Sequence, residues 1–180
     1  MFDRIHSEIG RIDVLVHCGG AQVKPDFFTR IDPATYQEKI DGHFTSFVTC
    51  CRRTISMMGA GGSIVAVASD AGKVATPAES MIGAMKAAVI MFARTLALEV
   101  SRQGIRVNVA TPSIVANTKS YDRVMSSENS RRIFEKASAK ARLGVSGPEG
   151  VAPLIVFLSS PCASKITGQA ISVNGGISAA

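Results

Sequence analysis

The 180 residues are short of several features that would assign a function class at once. No stretch of about eighteen uninterrupted apolar residues occurs, so a membrane span is not expected. The four cysteines, Cys18, Cys50, Cys51 and Cys162, show no C-x-x-C spacing and sit in apolar segments. They read as free, buried thiols of a reducing compartment, the cytoplasm, rather than as disulfides or metal ligands. His6, His17 and His43 lack metal-ligand spacing, and no metal site is expected. Aromatic residues make up only 6% of the chain, so its net charge of +6 has no stacking platform beside it. A nucleic-acid partner is therefore not expected. There are no repeats, linkers or low-complexity tracts. Residues 1–10 mix Asp3, Arg4, His6 and Glu8 with apolar side chains, the pattern of an amphipathic helix rather than a leader.

What is present is enough apolar residue (46%) to build one buried core. Residues 12–16 form a short β-rich apolar run that stops at Gly19-Gly20, as a buried strand does. Residues 63–69, 105–110 and 170–173 repeat that pattern. Between them lie helical spacings. Asp32 and Pro33 cap and open one helix to about residue 58, with Tyr36 as a packing residue on its face. A second runs over 79–101 with Met81, Met85, Val89, Phe92 and Leu96 on one stripe, and a third over 148–159. The segment 113–147 is polar and basic, and helical in its second half. Its cluster of Arg131, Arg132, Lys136, Lys140 and Arg142, with only Glu135 opposing, fits a solvated helix face. It also fits an anion-binding lid for a phosphate-bearing substrate such as an acyl-CoA. Short strands alternating with helices predict βαβ units in one α/β domain with a parallel sheet.

Several segments together resemble the short-chain dehydrogenase/reductase family. Asp13-Val-Leu-Val-His-Cys-Gly-Gly20 is similar to D-x-L-V-N-N-A-G, and Gly62 to Ser69 to the strand ending in the active-site serine. Gly104-Ile-Arg-Val-Asn-Val-Ala-Thr-Pro112 is similar to G-I-R-V-N-x-V-x-P-G. Arg142-Leu-Gly144, Ile166-Thr-Gly-Gln169 and Val173-Asn-Gly-Gly176 resemble the carboxy-terminal signature. The resemblance implies a Rossmann-type doubly wound parallel sheet, with NAD or NADP as cofactor and hydride transfer at a carbonyl carbon. It also implies that 1–180 is a single domain corresponding to the carboxy-terminal part of that fold, without the first βαβαβ half and its glycine-rich phosphate turn. No G-x-x-x-G-x-G follows a strand here, so the chain alone is not expected to hold the cofactor. The strand at 12–16, fourth in the family's fold, is expected at an exposed sheet edge.

By the same resemblance Ser69 and Lys86 stand at the catalytic serine and lysine. The tyrosine between them is replaced by Ile82, and the asparagine of the preceding long helix by His43. Ser80 faces away from Ile82 on a helix, while Tyr121 and His43 are the other residues weighed as proton donors. For the cofactor, Gly20, Lys86, Pro112, Val115 and Thr118 match, with Asn117 competing for the threonine's place; His17-Cys18 and Ser113 depart from the pattern. Without the tyrosine, Lys86 reads as a solvent-facing helix lysine and Ser69 equally as a strand-end hydroxyl bonded to backbone. The favoured reading is a catalytically degenerate subunit. It would form a homo- or hetero-oligomer with subunits of the same family through helices near 33–58 and 79–101, with Phe44, Phe47, Met85, Val89 and Phe92 as interface candidates. An incomplete oxidoreductase and a non-catalytic binding or scaffold module are the alternatives.

Overall fold

The computed structural model describes residues 1–20 and 23–180. Four strands, β1 (Val14–His17), β2 (Ser63–Val67), β3 (Arg106–Pro112) and β4 (Ala170–Val173), form one sheet in the order β1-β2-β3-β4. Every pair is parallel, in a register that sets Leu15 beside Ile64 and Ile64 beside Val107. Side chains alternate between faces. Ile64, Ala66, Val107 and Val109 point to one side, where Phe47, Val89, Ala93 and Leu96 cover them. Val65 points to the other, against Leu158 and Ala163. Helices on both faces explain why β2 and β3 are nearly unbroken apolar runs.

The first face is covered by two long helical stretches. One consists of α2 (Tyr36–Ile40), a π turn (Asp41–Thr45) and α3 (Ser46–Ile55); α1 (Phe2–Glu8) precedes it at the amino-terminal end. The stretch is introduced by Asp32, which accepts a hydrogen bond from Ala34 N at 2.9 Å, and Tyr36 stacks on Phe28. The other is α4 (Ser80–Val100), whose Met85, Val89, Ile90, Ala93, Leu96, Ala97 and Val100 are buried at helical spacing. With its following turn α4 is long and apolar enough to cross a membrane by length and composition. That stripe, however, forms the core of the α/β layer. Gly104, at φ 74°, reverses the chain after it, a conformation a side chain would strain. The second face is covered by α7 (Pro148–Ser159).

The I-R-V-N segment turns out to be a set of staples. Arg106 donates to Leu158 O (2.7 Å) and Ser160 O (3.1 Å), closing the carboxy-terminal end of α7, where a cation is favoured. Asn108 donates to Ile166 O (2.8 Å) and accepts from Gln169 N (3.1 Å). After β2, the buried Asp70 accepts from Ser172, Asn174 and Ser178, tying the chain end to the turn that carries the site.

Several expectations are corrected. Phe47, Met85 and Val89, offered as interface candidates, are buried in the chain's own core, while Phe44 and Phe92 stay half-exposed, with Phe92 edge-to-face on both Phe44 and Phe47. The outward side of α4 presents Met91 (59% exposed) and Leu98 (76%) instead. Cys51 is buried, but Cys18 and Cys162 are exposed; all four thiols are free. The basic segment, expected to be helical in its second half, carries α6 (Glu128–Ser138) and, before it, a further helix, α5 (Lys119–Met125). Glu128 as well as Glu135 opposes its arginines, pairing with both Arg131 and Arg132. As expected, β1 lies at a sheet edge, with Val14 and Val16 each 41% exposed.

Candidate functional site

A pocket of about 420 Å³ opens at the carboxy-terminal ends of β1, β2 and β3, where open parallel sheets place their ligands. Each strand delivers a residue to it: Cys18 and Gly20 after β1, Ser69 after β2, Pro112 through Val115 after β3. Ile82 and Lys86, four apart on α4, share the face that completes the wall, and Tyr121 of α5 closes it. Ser80 is exposed and lies off this wall.

Two glycines bring the pieces this close. A Cβ on Gly72 would stand 2.8 Å from the backbone of Lys86, and one on Gly83 the same distance from Ala71 O. The turn after β2 therefore lies directly on the first turns of α4, which sets Ser69 near Ile82 and Lys86. Ser69 caps that turn, its Oγ accepting from Ala71 N at 3.2 Å, so the structural role and the pocket position coexist. His43 is buried in the π turn, a helix irregularity common at functional sites. Its ring lies so near Gly20 that a Cβ there would be 2.6 Å from Cε1 and Nδ1. His17 sits against Ser46 and Phe47, its pKa lowered by burial and then by the charge of Lys86, against a hydrogen bond the ring donates to its own backbone.

Lys86 is not the solvent-facing lysine expected. It is 9% exposed, and its ammonium donates to Val67 O at 3.3 Å. Burial pushes its pKa down to about 8, with Cys18 pulling the other way. A lysine lowered in the folded state binds fewer protons there than in the unfolded chain between about pH 8 and 10.5. Stability therefore rises with pH across that window, and the full penalty is present below it. Lys86→Met should stabilise the protein by roughly 1–3 kcal/mol at pH 7 and by little at pH 10.5. Urea unfolding at the two pH values checks this; no gain at pH 7 would contradict it.

At the position facing Ser69 and Lys86, then, stands a hydrocarbon. The family model described as Enoyl-(Acyl carrier protein) reductase matches residues 1–178. The chain belongs to the short-chain dehydrogenase/reductase family. It is 31% identical to the 3-oxoacyl-(acyl-carrier-protein) reductase of Chlamydia muridarum over 175 residues, 95% of this chain and 67% of that protein. Similarity to the 7alpha-hydroxysteroid dehydrogenase of Bacteroides fragilis is 33% over 174 residues, 94% of this chain and 66% of the other. The short-chain dehydrogenase/reductase (glucose/ribitol dehydrogenase) of Brucella melitensis superposes with a TM-score of 0.88 at 27% identity, covering 99% of this chain and 70% of that one.

Members of the family generally use NAD or NADP. Gly20, Lys86, Pro112, Val115 and Thr118, the positions matched to the cofactor by resemblance, all line the pocket. Thr118, not Asn117, is the residue on that wall. Its hydroxyl caps α5, accepting from Tyr121 N at 3.1 Å and donating to Val115 O at 2.9 Å. A diphosphate needs a ring of backbone N–H groups at a helix start. The glycines after β1 are instead packed against the rings of His17 and His43. The glycines described after β1 therefore do not fit a diphosphate, and no hydride step is assigned to the described residues.

Among the pocket residues that the sequence did not single out is a carboxylate. Glu79 lies on the wall, and burial, with Asp70 as a lesser cause, pushes its carboxyl up to about 7. Its position three residues before Ile82, one helical turn away, was the signal available in the sequence.

Proposed function

We propose that the chain is a catalytically degenerate short-chain dehydrogenase/reductase subunit that works by associating with an NAD(P)-dependent member of the family. Ile82 carries this reading. Carbonyl reduction needs a proton delivered to oxygen as hydride reaches carbon, and a tyrosine hydroxyl aided by a neighbouring lysine supplies it. Ile82 lines the pocket beside Ser69 and Lys86 with no proton to give. Association is supported by the apolar side chains left outside along α4, Met91 and Leu98. With four free thiols, the cytoplasm is the compartment we propose.

The 180-residue chain should oxidise no NADH or NADPH above background with aliphatic, aromatic or steroid ketones, and calorimetry should detect no saturable cofactor binding up to millimolar concentration. Steady turnover by the purified chain would overturn the proposal. The retention of Ser69 and Lys86 in one pocket favours a second reading, an NAD(P)-dependent oxidoreductase of carbonyl or hydroxyl substrates, and that is the outcome such turnover would support.

A further inference from the structure

Beside the site pocket lies a cavity of about 310 Å³, between the turn after β2, α6 and the chain's last residues. Val74, Pro77, Ile133, Ala137 and Ile177 give it a largely hydrocarbon wall. Glu79, Ser113 and Phe134 line both cavities, so the two adjoin at these residues. The backbone is strained at that junction. Ala78, immediately before Glu79, has φ 67°, a left-handed conformation that costs a non-glycine residue about 1–2 kcal/mol. Such strain persists where the surroundings demand it, and here it sits next to the shared carboxyl. The Glu79 side chain makes no capping hydrogen bond to α4, although it stands at that helix's start.

The cavity also has a charge pattern. Ile133, Lys136 and Ala137 are three and four apart on α6, and Lys140 follows on the turn after it, so apolar and cationic groups line the same space. Arg131 and Arg132, on the neighbouring positions, are paired with Glu128. Among the described residues no carboxylate lies within ion-pair distance of Lys136 or Lys140.

We propose that the two cavities are chambers of one binding site for an amphiphilic carboxylate, whose anionic end meets Lys136 and Lys140, whose aliphatic chain fills the apolar chamber, and whose passage onward is controlled by Glu79. This goes beyond the association proposed above and stands whether or not the chain turns over a carbonyl. Combined, the chambers are of the size that small-molecule sites have. An uncharged Glu79 lets a hydrocarbon chain lie against it; an ionised one must be stripped of water first. Its carboxyl, raised to about 7, changes between these states near neutrality, so affinity falls as pH rises through that value. The other charged or titratable groups facing the two chambers are Asp70, Lys86, His43, Cys18, Tyr121, Arg123, Lys136 and Lys140. Glu79→Gln separates their contribution from that of Glu79.

The test uses decanoate and decanol as probes on the purified chain, with calorimetry and isoleucine methyl NMR. Decanoate should bind saturably at pH 6, at least about tenfold more tightly than decanol, shifting the methyls of Ile133 and Ile177. Lys136→Ala with Lys140→Ala should remove that preference, and Ala137→Trp should block binding. Affinity should fall about tenfold from pH 6 to pH 8 in the parent and change less than about twofold in Glu79→Gln. The methyl shifts locate the ligand in the parent chain even if Ala137→Trp fails to fold. Absence of saturable binding, equal affinity for decanol, shifts confined to other methyls, or a pH dependence that survives in Glu79→Gln would each overturn the proposal.

Discussion

Asn108→Leu should lower the stability of the protein by about 3 kcal/mol, the largest single-residue loss expected here. The side chain is fully buried and holds two backbone groups of another segment, Ile166 O at 2.8 Å and Gln169 N at 3.1 Å. Leucine has similar bulk but leaves both part-buried groups without this partner, and an orphaned buried polar group costs roughly 1–3 kcal/mol, so the two together fall in the lower half of the summed range. For a chain of this size the melting temperature should drop by about 6–12 °C. Asn129→Leu, at an exposed position of α6, is the control and should stay within about 0.5 kcal/mol of the parent. A loss below about 1 kcal/mol at Asn108 would mean that the I-R-V-N segment does not staple β3 to the 166–169 turn.

Turnover provides the second large effect. In a chimera carrying the nucleotide-binding half of a full-length family member, Ile82→Tyr with His43→Asn should raise carbonyl reduction by roughly 10²–10⁴-fold. Lys86 is already within the same pocket, four residues on, and its lowered pKa of about 8 suits it to proton traffic near neutrality. The pocket of about 420 Å³ has room for the larger ring. Ile82→Tyr alone should give part of the gain, since His43 keeps its place against Gly20. A chimera that reduces carbonyls equally well before either substitution would show that another group supplies the proton, with Tyr121 and Glu79 the pocket residues to examine.

Much of the fold was readable because burial on both faces leaves a plain mark. β2 and β3 are continuous apolar runs bounded by glycine and proline, and α4 carries its stripe at helical spacing. Strand ends shift for a local reason. Ile12 stays outside β1 because its N–H bonds Met57 O rather than a strand, and the ladder with β2 begins only where Ser63 N donates to Asp13 O. The site was harder. Ser69, Ile82, His43 and Lys86 were found by resemblance, and the structure does bring all four to one pocket. The burial of Lys86 was not readable, since a lysine in a helix looks alike in sequence whether it faces water or a core. The turn after β2 lies against the Lys86 helix at Gly72 and Gly83, where a side chain on either glycine would clash, and the Lys86 ammonium reaches Val67 O. The aromatic residues misled for a related cause. Phe44, Phe47 and Phe92 read as surplus apolar surface, yet three rings spend that surface on one another. Glu79 stayed hidden because its burial depends on the left-handed turn at Ala78, a conformation alanine does not advertise.

The proposed action through assembly is tested most directly by the mass of the chain in solution. Light scattering behind size exclusion at tens of micromolar should show a dimer or larger species. Met91→Glu with Leu98→Glu, which places charge on the two most exposed apolar side chains of α4, should shift it toward monomer. Mixed with a full-length family member, the parent chain should co-elute with it. A parent chain that remains a stable, soluble monomer at that concentration, alone and in the mixture, would contradict the account.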